Sequence, residues 1–280
     1  DRAEAEGRIK GEVILVPVAN PIGLAQRIDH KPMGRFELDS SENFNRHYPD
    51  LAKAVYDTIK RLMGSDPTAN VTVVRKAIGQ FLDQWKPDTE LQSLRKTLLT
   101  LACDADVVLD LHCDNQAVLH VYTGTPLASA LAPLAARLGA QAYLISRESG
   151  DDPFDESLAR HWWELAEHFG PATPVPLACL AATVELRGES DVSHAWAKAD
   201  AQAVFDFLCI AGAVHSATPV QVPAALAQAT PLAGSETLHT PCPGVVAYIA
   251  DVGQTLQKGD LVAEVINPID NTSHPIYAGV

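Results

Sequence analysis

The sequence predicts an α/β protein, a mixed sheet flanked by helices, followed by a small all-β module at the carboxyl end. Three observations carry this. Short apolar runs alternate with amphipathic helical stretches between residues 11 and 214, the pattern of strands and helices packed in layers. Two of those runs, residues 105–111 and 180–185, end at chemistry-bearing side chains, in Asp110-Leu111-His112 and Val184-Glu185. Open α/β sheets place their sites at such strand ends. Beyond His215 the chain turns to prolines (Pro219, Pro223, Pro231) and then to short β-like runs broken by turns, as in a small β domain.

Taken in order, residues 11–18 are a near-continuous apolar run, expected as an interior strand of a sheet covered on both faces. The polar, Gly- and Pro-bearing stretch 20–49 is too long for a simple connector and reads as a binding loop. Helical periodicity covers 51–63, 71–85 and 90–102. The strand at 105–111 is followed by 117–122, expected as its hairpin partner. A helix over 126–138 stops at Gly139, a strand occupies 142–145, and a helix spans 154–169. The run 180–185 is a strand, and 193–214 is a helix with Asp191 and Ser193 as candidate caps. The expected organisation is one domain over 1–215, a linker over 216–236 and a β module over 237–280.

At 280 residues and 47% hydrophobic, the chain can bury a sizeable core. Its net charge of -14 opposes nucleic-acid and anionic-membrane binding, because no basic patch is available to neutralise phosphate. No apolar run is long enough to span a bilayer, and the first residues do not resemble a signal peptide, so a cytoplasmic protein is expected. The five cysteines are scattered without a Cys-x-x-Cys pair and are expected to be reduced and mostly buried. The chain lacks a first methionine and stops at Tyr277-Ala278-Gly279-Val280, inside an expected strand; it reads as clipped from a longer parent.

A neutral imidazole at a strand's carboxyl end binds zinc when an acid orients its other ring nitrogen. Asp110 and Asp114 flank His112 for that purpose, although a structural histidine satisfies the same pattern. Cys113 points to the opposite face of the strand and lacks the electropositive surroundings of a reactive thiolate. Glu185 suits a proton carrier or a salt-bridged sheet end; Arg46 suits an anion clamp or a surface charge. Arg187 suits a substrate clamp or the neutralisation of Glu185 and Glu189. His161, Glu164 and His168 share one helical face and read as a solvated amphipathic surface rather than a metal site.

The ordered strings Pro17-Val18-Ala19-Asn20-Pro21, Gly34-Arg35-Phe36, Asn43-Phe44-Asn45-Arg46-His47-Tyr48-Pro49, Asp110-Leu111-His112-Cys113-Asp114 and Val184-Glu185-Leu186-Arg187-Gly188 resemble the succinylglutamate desuccinylase/aspartoacylase family, of the zinc carboxypeptidase-like superfamily. The resemblance implies that His112 is a zinc ligand and Glu185 the general acid/base. It implies that Asn45 and Arg46 grip a substrate carboxylate and that Arg35 stabilises the tetrahedral intermediate. It assigns Arg187 no role. The family's other zinc ligands, from a His-x-x-Glu motif, are expected upstream of Asp1. The stretch 237–280 resembles the barrel-sandwich module of lipoyl and biotinyl domains, without a modification lysine flanked by methionines.

The implied activity is zinc-dependent hydrolysis of the amide bond of a small N-acyl amino acid. Two alternatives stay open: a metal-free, catalytically silent binding protein of the same fold, and a zinc carboxypeptidase acting on peptides. Neither nucleic acid nor membrane is an expected partner. Assembly into a homo-oligomer is left open by the sequence.

Overall fold

A computed structural model describes residues 2–279 of the chain. Two short helices, α1 (Arg2–Ala5) and α2 (Pro21–Ala25), and a two-residue hairpin, β1 (Arg27–Ile28) with β2 (Lys31–Pro32), precede a helical stretch of α3 (Leu51–Ile59), α4 (Pro67–Gln84) and α5 (Glu90–Ala102). Asp50, Asp66 and Thr89 start these three helices, each side chain accepting a backbone N–H of the first turn, which satisfies donors that have no partner within the helix. Then come β3 (Val107–Asp114), β4 (His120–Gly124), α6 (Ala128–Leu138), β5 (Ala142–Ser146), α7 (Phe154–Phe169), β6 (Leu180–Gly188) and α8 (His194–Ile210). The chain finishes with β7 (Ala229–Pro231), β8 (Val245–Tyr248), β9 (Leu261–Ile266) and β10 (Ser273–Tyr277).

Five strands form one sheet in the order β3-β6-β4-β5-β7. Neighbours run parallel except β4, which is antiparallel to β6. Side chains alternate between the two faces. Gly124 of β4 faces α7, and a Cβ there would lie 2.6 Å from Trp163 Cη2, so the glycine sets how closely that helix approaches. On the other face the Tyr143 hydroxyl donates to the Ala128 carbonyl at 2.7 Å, tying β5 to α6. Gly139 closes α6 with a φ of 69°, a left-handed conformation that favours glycine. Val121, Ala182, Val184, Leu131, Leu158, Trp162 and Phe207 belong to one buried core cluster. The second sheet is antiparallel, in the order β10-β9-β8, so the α/β class with a separate carboxyl-terminal β unit is as expected.

Several local expectations are corrected. Residues 11–18 form no strand and lie exposed, with Leu15 at 81%. A strand exists only through its pairing, and among the described residues this run pairs with nothing, although its composition suits a sheet interior. The strand at 117–122 is not the hairpin partner of β3: β6 lies between β3 and β4, because a parallel crossover inserts it there. The stretch expected as a linker contributes β7 to the sheet edge. Only Cys179 of the five cysteines is buried, and Cys113 is exposed. His161 is 2% exposed, so α7 does not present it on a solvated face. There its Nδ1 meets the Ser157 carbonyl at 3.0 Å, and burial pushes its pKa down to about 4.

Candidate active site

The register of the sheet assembles the candidate site. His112 on β3 pairs with Glu185 on β6 across the parallel ladder, and His120 on β4 pairs with the same Glu185 across the antiparallel one. One row toward the amino end of β3 and β6, Asp110 pairs with Thr183 and Thr183 with Tyr122. Since side chains two residues apart share a face, both rows look toward α7. The result is a glutamate between two histidines, with an acid, a threonine and a tyrosine beneath.

Asp110 Oδ2 lies 2.7 Å from His112 Nε2. That contact fixes the ring and leaves Nδ1 for a ligand. Burial alone would lower the His112 pKa, but the hydrogen bond and charge of Asp110, with Glu185 and Asp155 behind, raise it overall. Burial raises the Glu185 carboxyl; His112 and His120 act against that shift, and Asp114 and Asp110 with it. Glu185 Oε2 is buried without a hydrogen-bond partner. Most buried polar atoms in folded proteins have a partner, and a catalytic role is one of the reasons for an exception.

The loop 43–48 is pinned over this row. Asn45 Nδ2 lies 3.4 Å from both Asp110 Oδ2 and His112 Nε2, while its Oδ1 accepts from the Phe154 N–H at 2.9 Å. His47 N–H and Tyr48 N–H donate to the Asp151 and Asp152 carbonyls, and buried Arg95 holds Glu42 Oε2 and the Asn43 carbonyl from below. Arg46 is half-buried and donates from Nη1 to the Asn45 carbonyl at 2.6 Å. His112, Glu185 and Asn45 are therefore gathered in one place, and Arg46 follows Asn45 in the same loop. Arg35 is exposed, its guanidinium over the Phe36 ring at 5.8 Å. Arg187 takes a φ of 75° and turns to α8, where it pairs with Asp200 and stacks on Trp196 at 4.3 Å. Among the described residues it forms no ion pair with Glu185 or Glu189.

Sequence reasoning missed His120, Tyr122 and Asp155. The first two carried a readable signal, since polar His120 and Tyr122 alternate with apolar Leu119 and Val121; the mistaken hairpin hid their neighbour. Asp155 opens α7 and is 8% exposed. Burial first, then the charge of Asp110, push its pKa up to about 6. No signal in the sequence separates it from an ordinary first-turn acid.

His112, with an acid behind one ring nitrogen and the other nitrogen open, fits a zinc ligand. A full set does not follow: among the described residues no group of three or more His, Cys, Asp or Glu side chains converges on a metal position. The residues present supply one ligand and its supporting acid. No helix among the described residues is long and apolar enough to cross a membrane.

No family model and no curated protein matches the chain. Solved structures do. Over 94% of its length the chain is similar to a succinylglutamate desuccinylase/aspartoacylase family protein from Shewanella amazonensis, with a TM-score of 0.78, 23% identity and 73% of that chain covered. A protein of the same description from Shewanella frigidimarina gives a TM-score of 0.77 at 23% identity, covering 94% of this chain and 72% of that one. The product-bound ectoine utilization protein EutE (DoeB) from Ruegeria pomeroyi gives 0.62 at 15% identity, covering 97% and 68%. The chain has the fold of the succinylglutamate desuccinylase/aspartoacylase proteins.

Proposed function

We propose that the protein is a deacylase that hydrolyses the amide bond of a small N-acyl amino acid, with zinc as its metal. One observation carries the reading: a partly buried carboxylate with an unpartnered oxygen, Glu185, sits beside an acid-backed histidine, His112, on a fold shared with desuccinylase/aspartoacylase structures.

Glu185 takes a proton from the attacking water and delivers it to the departing amine nitrogen. A carboxyl raised by burial holds that proton longer than an exposed one, which suits both halves of the task near neutral pH. Asn45 and Arg46 bind the substrate carboxylate; a guanidinium fork matches two carboxylate oxygens. Holding that end of the substrate also orients its amide against Glu185. Zinc, when bound with His112 among its ligands, polarises the amide carbonyl and lowers the pKa of a nearby water. Arg35 enters the reading as partner of the tetrahedral oxyanion through the resemblance alone; a fall in kcat with unchanged KM for Arg35→Ala supports it.

The test is release of free amine from a panel of N-acetyl and N-succinyl amino acids, with and without added zinc. Zinc-dependent release, abolished in Glu185→Gln, supports the proposal. Saturable binding without release by the zinc-loaded protein points instead to a silent binding protein. Release from peptides in preference to N-acyl amino acids points to a carboxypeptidase.

A further inference from the structure

Resting on the reading of Glu185 as proton carrier, we infer that His120 is a positioning residue that holds the Glu185 carboxyl through the reaction. His120 is directly opposite Glu185 on the antiparallel pair β4 and β6, where facing Cβ atoms lie about 4.5 to 5.5 Å apart on one face. The carboxylate is thus bracketed, by His112 on one neighbouring strand and His120 on the other.

The two imidazoles are used differently. His112 turns Nε2 to Asp110. His120 turns Nδ1 to the Val118 carbonyl at 2.7 Å. A carbonyl only accepts, so Nδ1 is the nitrogen that donates there, which leaves Nε2 as the ring atom able to accept a proton. The ring is 7% exposed and packs edge-on to Tyr122 with centroids 5.1 Å apart, so its orientation is fixed by two contacts, the Val118 carbonyl and the Tyr122 ring. Glu185 Oε2, meanwhile, is buried with no partner.

In the reaction, water adds its oxygen to the acyl carbon and gives a proton to Glu185. The new Glu185 O–H has an acceptor in His120 Nε2, which keeps the carboxyl in place. When the C–N bond breaks, the proton passes to the amine nitrogen. One water is consumed, an acid and an amine are released, and His120 ends the cycle unchanged.

Amide side chains separate the two ring nitrogens. His120→Asn places an amide near the Nδ1 position and keeps the Val118 contact; His120→Gln extends to the Nε2 position and keeps a polar group for Glu185. The expected result is that the Asn variant loses about tenfold to hundredfold in kcat, the scale of a misaligned reacting group, with KM and melting temperature little changed. The Gln variant is expected to recover most of the loss, and Glu185→Gln should leave no further effect of His120→Asn. Equal activity of the Asn and Gln variants, or losses that follow melting temperature, overturns the inference.

A second readout does not depend on activity. In 15N NMR of the intact protein, with the His120 signals assigned by their disappearance in His120→Gln, Glu185→Gln is expected to shift Nε2 and leave Nδ1 in place. Absence of that shift overturns the inference. A shift in a protein that hydrolyses no N-acyl amino acid keeps the His120–Glu185 pairing and rejects the deacylase reading instead.

Discussion

Asp110 and His112 stand two residues apart on β3 and touch each other, Oδ2 to Nε2 at 2.7 Å. A strand makes this possible because its period of two puts both side chains on one face. The acid therefore sets the direction of the imidazole from within the same element, and Asn45 Nδ2 approaches both groups from the loop at 3.4 Å. If His112 ligates zinc, Asp110→Asn should weaken zinc binding about tenfold to hundredfold, the usual cost of losing such an outer partner. Competition against a chromophoric chelator measures this. Unchanged affinity would detach Asp110 from the metal and leave it a structural acid.

Glu185→Gln should lower kcat by about a hundredfold or more, the contribution of a well-placed proton carrier. It should not unfold the protein, because the amide matches the carboxylate in size and removes a partly buried charge whose Oε2 has no partner. Turnover within a few-fold of the original protein would remove Glu185 from the mechanism.

Arg46→Lys should weaken catalysis selectively. An ammonium cannot reproduce two parallel hydrogen bonds to a carboxylate, so substrates with a free carboxylate should lose most of their kcat/KM. Their amidated counterparts, poor from the start, should lose little more. Proportional losses for both would assign Arg46 to the support of its loop, through the Asn45 carbonyl that it already holds.

Asp155 should make the folded protein less stable as the solution becomes more alkaline. Its pKa is about 6 in the fold against an ordinary value of 3.8. Between those values the folded state holds a proton that the unfolded state has released, so the Asp155 contribution to stability falls as pH rises from about 4 to 6 and stays lost above. Asp155→Asn should therefore gain up to about 3 kcal/mol at pH 7.5 relative to its effect at pH 4. Urea unfolding at the two pH values checks this. A difference from the original protein that is the same at both would mean that the carboxylate ionises without cost.

His161 has the opposite sign. Burial lowers its pKa from 6.5 to about 4, so the unfolded state binds a proton in that interval and the folded state does not. Its stabilising contribution is whole above about pH 6.5 and declines as pH falls through the window to 4, by roughly 3 kcal/mol in total. In His161→Asn, which keeps an amide near the Nδ1 position for the Ser157 carbonyl, urea midpoints should fall less between pH 6.5 and 4. Identical slopes would show that His161 is not what makes the fold acid-sensitive.

How far the fold could be read depended on where each signal comes from. The helix at 90–102 is found with its expected bounds, as is that at 154–169, because apolar spacing and the cap at Thr89 act within a few residues. The run at 11–18 has the composition of a buried strand and is exposed coil; composition states what a segment tolerates, whereas pairing is decided elsewhere in the chain. The same limit applies to the site. His112 and Glu185 announce themselves at the ends of apolar runs, but that they face each other depends on the β3–β6 register. His120 was placed in the wrong company because β6 enters between β3 and β4, an insertion that no local pattern encodes. Asp155 owes its burial to α7 lying against the sheet, a distance set by Gly124 and Trp163.

The β3–β6 ladder also has a kinetic meaning. Between its two strands the chain makes β4, α6, β5 and α7, and all of it must be gathered before Val107 can meet Leu180. Closing so long a loop is slow, and the contacts that reward it come late. His112 and Glu185 become neighbours only at that step. A chain that has collapsed and formed its helices but not this ladder would look largely folded in circular dichroism and have no reaction centre. Recovery of activity during refolding should accordingly lag the return of helical signal, with the lag reporting the time taken to zip one parallel strand pair.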